Sequence, residues 1–155
     1  MRFFSCTAAL LCAALLAVTP CARAQTLTCI VPEGQYVNVR KQAASSAATW
    51  GILHGGETIE ADPDEVKNGF FKTTFREKEA YVSVRYFETA AEETCVVEAN
   101  GRVRTRKSPG GEALGFVQPG ETVRVLGWRY DADGDKWARC TGKRYIAAEF
   151  LKPEE

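Results

Sequence analysis

An all-β chain, built as two successive small β-barrels, is predicted from three features of the sequence. Motifs in residues 28–87 return in the same order in residues 94–151. Short runs of alternating apolar and polar residues are separated by turn residues at the spacing typical of a small barrel or sandwich. No long apolar stripe with the helical period of 3.6 residues interrupts this pattern.

The repeat consists of four pairs of matching segments. The pairs are 28–31 with 94–97, 37–40 with 103–106, 56–59 with 120–123, and 81–82 with 145–146. The offset is 66 residues for the first two pairs and 64 for the last two, as a duplication with one loop insertion or deletion would give. Because the repeat fills nearly all of the chain after residue 24, it leaves no room for a separate catalytic domain.

The elements of the second unit follow from its local residue types. Alternating or short apolar runs predict strands, and Asn-Gly, Ser-Pro-Gly-Gly, Pro-Gly and Gly-Lys sequences predict the turns between them. The predicted strands are 95–99, 102–106, 113–117, 122–126, 136–141 and 144–147, with a polar hairpin tip over 131–135 and one helical turn over 148–151.

The first unit has the same order of elements. Its strands are predicted over 36–40, 50–53, 58–61, 69–75 and 80–84, with a small-residue loop over 43–48 and a charged loop over 62–68. A unit of this size has one small core of marginal stability, so contact between the two units would stabilise both. The unit boundaries are predicted at 25–88 and 94–155, joined by a short linker over 89–93.

The N-terminal 24 residues have the pattern of a cleaved signal peptide. Arg2 precedes an apolar run over 8–18, and Ala22-Arg23-Ala24 fits the small-x-small cleavage pattern. The apolar run is shorter than the roughly 20 residues of a membrane span. We therefore expect a periplasmic or secreted protein that starts at Gln25 and has no membrane span. Pro20 fits poorly before a lipidated Cys21, and the sequence leaves that modification open.

The charge balance excludes one class of partner. After residue 24 the chain has 18 basic and 20 acidic residues, so it lacks the basic excess of a nucleic-acid-binding protein. It also lacks a phosphate-binding glycine loop, zinc-ligand spacing and a nucleophile motif, and we expect no cofactor, no metal and no enzymatic activity. Residues 131–135 place three carboxylates at alternate positions, but a solvated hairpin tip is favoured over a calcium loop, because the twelfth position of such a loop would be Gly142.

Three cysteines remain after residue 24, namely Cys29, Cys95 and Cys140. In an oxidising compartment an odd number predicts one disulfide and one free thiol, or an intermolecular bond. Cys95 and Cys140 are the preferred pair because both lie in the second unit. Cys29 with Cys95 is the alternative, because they occupy matching positions of the repeat, and three free thiols are the third possibility.

The repeated motifs resemble the bacterial SH3-like domain, present twice over residues 28–152. The resemblance rests on a "V-N-V-R" strand, a "G-E-T-I/V" turn and strand, an aromatic residue that opens the next strand, and a "Y-V/I" ending followed by an aromatic. The second unit has Arg104 where the first motif has Asn38, and the aromatic of the first unit is taken to be Phe71. The resemblance implies two SH3-like barrels that bind cell-wall peptide, peptidoglycan or an envelope protein.

Aromatic residues beside loops are the candidate ligand-binding residues that this resemblance implies. Trp128 and Tyr130 flank the polar hairpin tip and are expected to be partly exposed, and Trp50 is the candidate in the first unit. Arg102, Arg104 and Arg106 alternate and therefore share one strand face, where Arg104 is a candidate for contact with an acidic peptide. Plain packing of the aromatics and a solvated arginine face remain the alternatives.

Two functions from different classes are therefore open at this stage. The chain is either a binding module for a cell-wall ligand, or a structural subunit that assembles with an envelope protein through a strand edge or a thiol. The sequence does not define the ligand or the oligomeric state.

Overall fold

The computed structural model of the protein describes residues 23–154, so the signal peptide predicted over 1–24 lies almost entirely outside the described residues. The all-β prediction is confirmed. The strands are β1 Gln25–Cys29, β2 Tyr36–Arg40, β3 Thr49–His54, β4 Thr58–Lys67, β5 Phe70–Phe75, β6 Lys78–Ser83, β7 Phe87–Val97, β8 Val103–Arg106, β9 Ala113–Val117, β10 Thr122–Tyr130, β11 Lys136–Cys140, β12 Arg144–Ala147 and β13 Leu151–Pro153. Two short 3-10 turns, Val84–Tyr86 and Ala148–Phe150, precede β7 and β13. Within residues 23–154, neither turn has the length or hydrophobicity needed to cross a membrane.

All strands belong to one curled antiparallel sheet. Its order is β3-β2-β6-β5-β4-β1-β7-β10-β11-β12-β8-β9, and β13 pairs with the C-terminal part of β7. Each strand pairing of the first half has a counterpart in the second. The equivalent pairs are β1·β4 and β7·β10, β2·β3 and β8·β9, β4·β5 and β10·β11, β5·β6 and β11·β12, β2·β6 and β8·β12, and β1·β7 and β7·β13.

Strand β7 is shared by the two halves. Its first residues pair with β1, and Cys95 to Val97 pair with β13. The stretch 89–93, predicted as a linker, forms the centre of this strand, where it pairs with β10. The predicted charged loop 62–68 is likewise mostly strand, because β4 continues to Lys67 through an irregularity that accommodates Pro63.

The pairing register corrects two equivalences taken from the sequence. Cys29 N–H donates to the backbone oxygen of Glu57 at 2.8 Å, as Val97 N–H does to that of Glu121 at 2.9 Å, so Cys29 corresponds to Val97 and not to Cys95. Phe70 pairs with Ser83 as Trp137 pairs with Ala147, so Phe70, not Phe71, is the counterpart of Trp137. The repeat is therefore offset by one or two more residues at some strands than the motif matches indicate.

Each half of the sheet surrounds its own hydrophobic core. The first core includes Leu27, Val39, Phe71 and Phe87, and the second is built around Val97, Val125 and Ile146. Alternation in strands such as β2 and β8 directs valine and threonine inward and the intervening polar residues outward.

Tyr130 crosses from the second half into the core of the first. It is only 3% exposed, and its ring meets that of Phe71 edge-on at 4.9 Å between centroids. The prediction that Tyr130 is partly exposed was wrong, because β10 extends far enough to place it over the neighbouring core. Its hydroxyl lies near that of Thr89, but the two groups are not oriented to form a hydrogen bond, and both hydroxyls are buried without a partner. Burial raises the pKa of Tyr130 to about 12, against an opposing effect of the Thr89 hydroxyl.

Glu88 forms a second connection at the boundary between the halves. Its side chain is 15% exposed and accepts hydrogen bonds from Arg139 Nε and Nη2, at 3.0 and 2.5 Å. This carboxylate is the main cause of the raised pKa of Arg139. Gly127 leaves room for it, because a Cβ there would lie 2.6 Å from Glu88 Oε1.

The three cysteines of the described chain are free and buried. The preferred Cys95–Cys140 disulfide is absent, and the topology gives the reason. Both side chains lie in the second core, but on the two strands that flank β10. Two strand spacings separate their backbones by roughly 9.5 Å, whereas bridged cysteines have Cα atoms within about 7 Å. The alternative pair is also excluded in this structure, because Cys29 lies in the first core and Cys95 in the second.

We predict that Tyr130→Ala lowers the free energy of unfolding by about 3 kcal/mol, because it empties part of the first core. Tyr130→Phe should be neutral or slightly stabilising, since it removes a buried hydroxyl without a hydrogen-bond partner. Urea unfolding of the chain from Gln25, which contains every strand, measures both. Tyr36→Ala, at a 57% exposed tyrosine, is the control. A Tyr130→Ala variant as stable as this control would contradict the placement.

The same residue predicts an alkaline loss of stability. The pKa of Tyr130 is raised from 10.0 to about 12, so the stabilisation contributed by its neutral form is complete below pH 10 and is lost as the pH rises through about 12. The difference in unfolding free energy between wild type and Tyr130→Phe should therefore shift in favour of the variant between pH 9 and about pH 12. A constant difference would rule out the buried phenol.

We predict three reactive thiols in the chain from Gln25 when it is unfolded without reductant, and slow reaction when it is native. Burial raises the pKa of all three thiols, to about 11 for Cys140, and this suppresses the reactive thiolate. Titration with a chromogenic disulfide in denaturant counts them. A count of one would show that a disulfide forms despite the strand spacing.

Candidate binding clefts

A cleft in the second half, which we call the large cleft, has a volume of about 1000 Å³. The outer face of β8 forms one wall, and the β10–β11 hairpin with the start of β11 forms the other. The 3-10 turn Ala148–Phe150 and the loop over 98–101 complete the lining, and they are joined by a hydrogen bond from Glu98 N–H to Phe150 O at 2.8 Å.

Three arginines line the β8 wall, as the sequence pattern predicts. Val103 and Thr105 point into the core, so Arg102, Arg104 and Arg106 share the outer face. Arg106 is fixed by a hydrogen bond from Nη1 to the carbonyl oxygen of Gly111 at 2.6 Å, and Arg102 stacks on Phe116. Among the described residues no carboxylate lies within ion-pair distance of these arginines. Arg104 is exposed, and its guanidinium is free to bind a ligand.

Trp137 forms the apolar wall opposite the arginines. Its indole Nε1 donates to Asp131 Oδ2 at 3.0 Å, and the guanidinium of Arg106 lies 5.8 Å from its ring centroid. The other oxygen of Asp131 accepts the N–H groups of Asp133 and Asp135, both at 3.0 Å. One carboxylate therefore fixes both the hairpin tip and the tryptophan.

The large cleft is also lined by acidic residues. They are Glu98, Asp135 and Glu149, and Glu98 is paired with Lys152. The cleft thus combines arginines, an aromatic ring and carboxylates, a set of groups suited to a peptide with charges of both signs.

The first half has a smaller cleft at the equivalent position, which we call the small cleft, with a volume of about 370 Å³. Equivalent residues line the two clefts. The pairs, small cleft first, are Tyr36 and Arg102, Asn38 and Arg104, Arg40 and Arg106, Phe70 and Trp137, Ser83 and Ala147, Arg85 and Glu149, and Tyr86 and Phe150. Arg40 repeats the contact of Arg106, with its Nη1 donating to Ala47 O at 2.8 Å. The duplication has therefore kept the position of the cleft while changing its chemistry.

Of the four candidate ligand-binding residues, only Arg104 lines a cleft. Trp128 is half-buried against the second core, with its indole donating to Glu93 at 2.9 Å. Trp50 packs on the first core between Lys41 and Lys78, each 4.2 Å from its ring centroid. Tyr130 is buried. The structure therefore does not bring the four residues together.

Most of the residues that line the clefts are not among the candidates predicted from the sequence. Trp137, Arg40, Arg85 and Phe150 are examples. The alternation of Arg102, Arg104 and Arg106 was the signal that led to the large cleft. Applying the 66-residue offset to Arg106 leads to Arg40 in the same way.

The acidic hairpin does not form a metal site in this structure. Among residues 23–154, no three His, Cys, Asp or Glu side chains are grouped to hold an ion. Asp131 uses its oxygens for the hydrogen bonds described above.

No family model and no curated protein matches this chain. Among solved structures, NlpC2 from Trichomonas vaginalis aligns with 14% identity and a TM-score of 0.38, covering 86% of this chain and 49% of that one. NlpC1 from the same organism aligns with 16% identity and a TM-score of 0.39, covering 89% and 49%. The endolysin LysPBC5 CBD aligns with 13% identity and a TM-score of 0.33, covering 84% and 93%. This chain spans about half the length of the two Trichomonas chains.

We predict that Asp131→Ala lowers the unfolding free energy by about 1–3 kcal/mol and mobilises Trp137, because three hydrogen bonds lose their acceptor. Urea unfolding and the fluorescence anisotropy of a variant that retains only Trp137 among the tryptophans measure the two effects. Asp133→Ala, at an exposed carboxylate of the same tip, is the control. Equal effects of the two substitutions would contradict the role of Asp131.

Proposed function

We propose that this chain is an exported, non-enzymatic binding module of two tandem SH3-like barrels, and that it binds cell-wall peptide through the large cleft. The observation that carries the proposal is the row of arginines without carboxylate partners opposite Trp137. The repeated strand pairings support the tandem assignment, since each half has the same order of strands and one 3-10 turn before its last strand.

The chemistry of the large cleft fits a short peptide with free carboxylates. A guanidinium can donate two parallel hydrogen bonds to a carboxylate, so Arg104 can bind one. The face of Trp137 offers apolar area for an aliphatic side chain, and the carboxylates that line the cleft can accept hydrogen bonds from a ligand amine. Cell-wall peptides have these three kinds of group within a few residues.

Export and the lack of catalysis belong to the same proposal. The signal-peptide pattern supports a periplasmic or secreted location. The three described cysteines are buried with raised pKa values, which disfavours a nucleophilic thiolate. The single histidine, His54, ends β3 on the surface and lines neither cleft.

We predict that the chain from Gln25 is retained on purified peptidoglycan and that Arg104→Gln reduces its affinity about tenfold or more, because it removes an exposed guanidinium of the large cleft that can bind a ligand carboxylate. Co-sedimentation at two salt concentrations gives the affinity. Arg76→Gln removes an exposed arginine outside both clefts and should bind as wild type does.

Trp128→Ala provides a second control, because Trp128 lies outside the large cleft. The fraction of this variant that is folded should bind peptidoglycan with the affinity of wild type. The proposal fails if wild type is not retained, or if Arg104→Gln and Arg76→Gln bind equally.

Assembly with a protein partner is the second candidate function. The terminal strands of the sheet, β3 and β9, contain no Lys, Arg, Asp, Glu or Pro, the residues that usually protect an edge from pairing. They expose Ile52, Leu114 and Phe116. A stable complex that Phe116→Lys dissolves, in a chain that does not bind peptidoglycan, would favour this function.

A further inference from the structure

One hairpin lines both clefts. Ala132, at the tip between β10 and β11, belongs to the wall of the small cleft, while Asp135 and Lys136 on the return strand belong to the large cleft. The two clefts are therefore neighbours, although each is built by its own half of the sheet.

Close contacts hold this hairpin against the first half. A Cβ on Gly69 would lie 2.8 Å from the carbonyl oxygen of Ala132, and one on Gly134 would lie 2.8 Å from a methyl carbon of Val66. Tyr130, directly before the tip, is anchored in the first core. The relative position of the two clefts is thus fixed before any ligand binds.

The small cleft has the chemistry of an anion site. No acidic residue lines it, and Arg40 and Arg85 have no carboxylate within ion-pair distance among the described residues. Asn38, Asn68 and Ser83 add hydrogen-bonding groups. Arg85 is exposed beside Tyr86, with its guanidinium 5.4 Å from that ring centroid.

We propose that the small cleft is a second carboxylate-binding site, and that one ligand with carboxylate groups at both ends occupies both clefts across the hairpin. This inference rests on the proposed function and names the ligand class as a cross-linked pair of cell-wall peptides. The exposed Asp133 at the tip disfavours a negative charge in the middle of the ligand, and an amide cross-link is uncharged.

The hairpin that lies between the two clefts is narrow. Asp131 N–H donates to Asp135 O at 3.0 Å, so the two strands of the hairpin are directly paired. Paired strands lie about 4.8 Å apart, and an extended peptide advances about 3.3 Å per residue, so roughly four residues span the hairpin and its side chains. Binding at the second cleft then becomes intramolecular, which raises the affinity without any new contact.

The test compares soluble peptidoglycan fragments, uncross-linked and cross-linked, by calorimetric titration of the chain from Gln25. We expect two uncross-linked fragments per chain but one cross-linked fragment, bound about tenfold or more tightly. Arg85→Gln should leave one uncross-linked fragment per chain and remove the advantage of the cross-linked fragment. Arg76→Gln, which removes a similarly exposed and ring-stacked arginine of the first half, should behave as wild type.

Sedimentation of the complex shows whether a single chain holds the cross-linked fragment. One uncross-linked fragment per wild-type chain, no preference for the cross-linked fragment, or a fragment shared between two chains would each overturn the inference while the proposed function stands. Failure of both fragments to bind would overturn both.

Discussion

Strand β7 is the constraint on which the rest of the structure depends, because its eleven residues serve both halves of the sheet. A flexible linker at the same place would leave the two halves free to rotate. A continuous strand instead fixes their orientation through backbone hydrogen bonds to β1, β10 and β13. The contacts of Glu88 and Tyr130 depend on this geometry. Glu88 needs Arg139 and the space at Gly127 beside it, and Tyr130 needs the core of the first half to lie beside β10.

The fixed orientation has a consequence for binding. Each half of about 60 residues has a small core, and Tyr130 adds an aromatic ring from the second half to the core of the first. The extension of β10 that delivers this ring also delivers the hairpin tip to the small cleft. The stability of the first half and the arrangement of the two clefts therefore have the same cause.

Local sequence was sufficient for strands whose alternation and turns are both clear. Strands β2 and β9 have the predicted bounds, and the inward valines of β2 and β8 follow from a period of two. It was insufficient where two halves meet. Residues 89–93 have no strong strand pattern, and only pairing with β10 makes them a strand. Local sequence predicts Tyr130 to be an aromatic residue beside a loop, and only the position of the first core shows that it is buried.

The same limit applies to the site. Alternation placed Arg102, Arg104 and Arg106 on one face, but the aromatic residue beside them could not be chosen from local sequence context. Trp137 faces the arginines because Asp131 holds its indole, and Trp128 does not because Glu93 holds it elsewhere. The partner of each indole thus decides between lining a cleft and packing on a core, and such partners are fixed by strand register rather than by residue type.

The two clefts differ in their lining residues, and this difference matters because the shared strand fixes the position of one cleft relative to the other. Had the halves been free to separate, two similar sites would act as independent copies. Because they are held side by side, clefts of different chemistry can bind different parts of one ligand. The small cleft, lined by Arg40 and Arg85 and by no acid, suits a carboxylate, whereas acidic residues also line the large cleft. The difference is clearest at one pair of equivalent positions, where the small cleft has Arg85 and the large cleft has Glu149. A rigid connection between unlike clefts would favour a ligand whose two ends also differ, as we propose for a cross-linked pair of wall peptides.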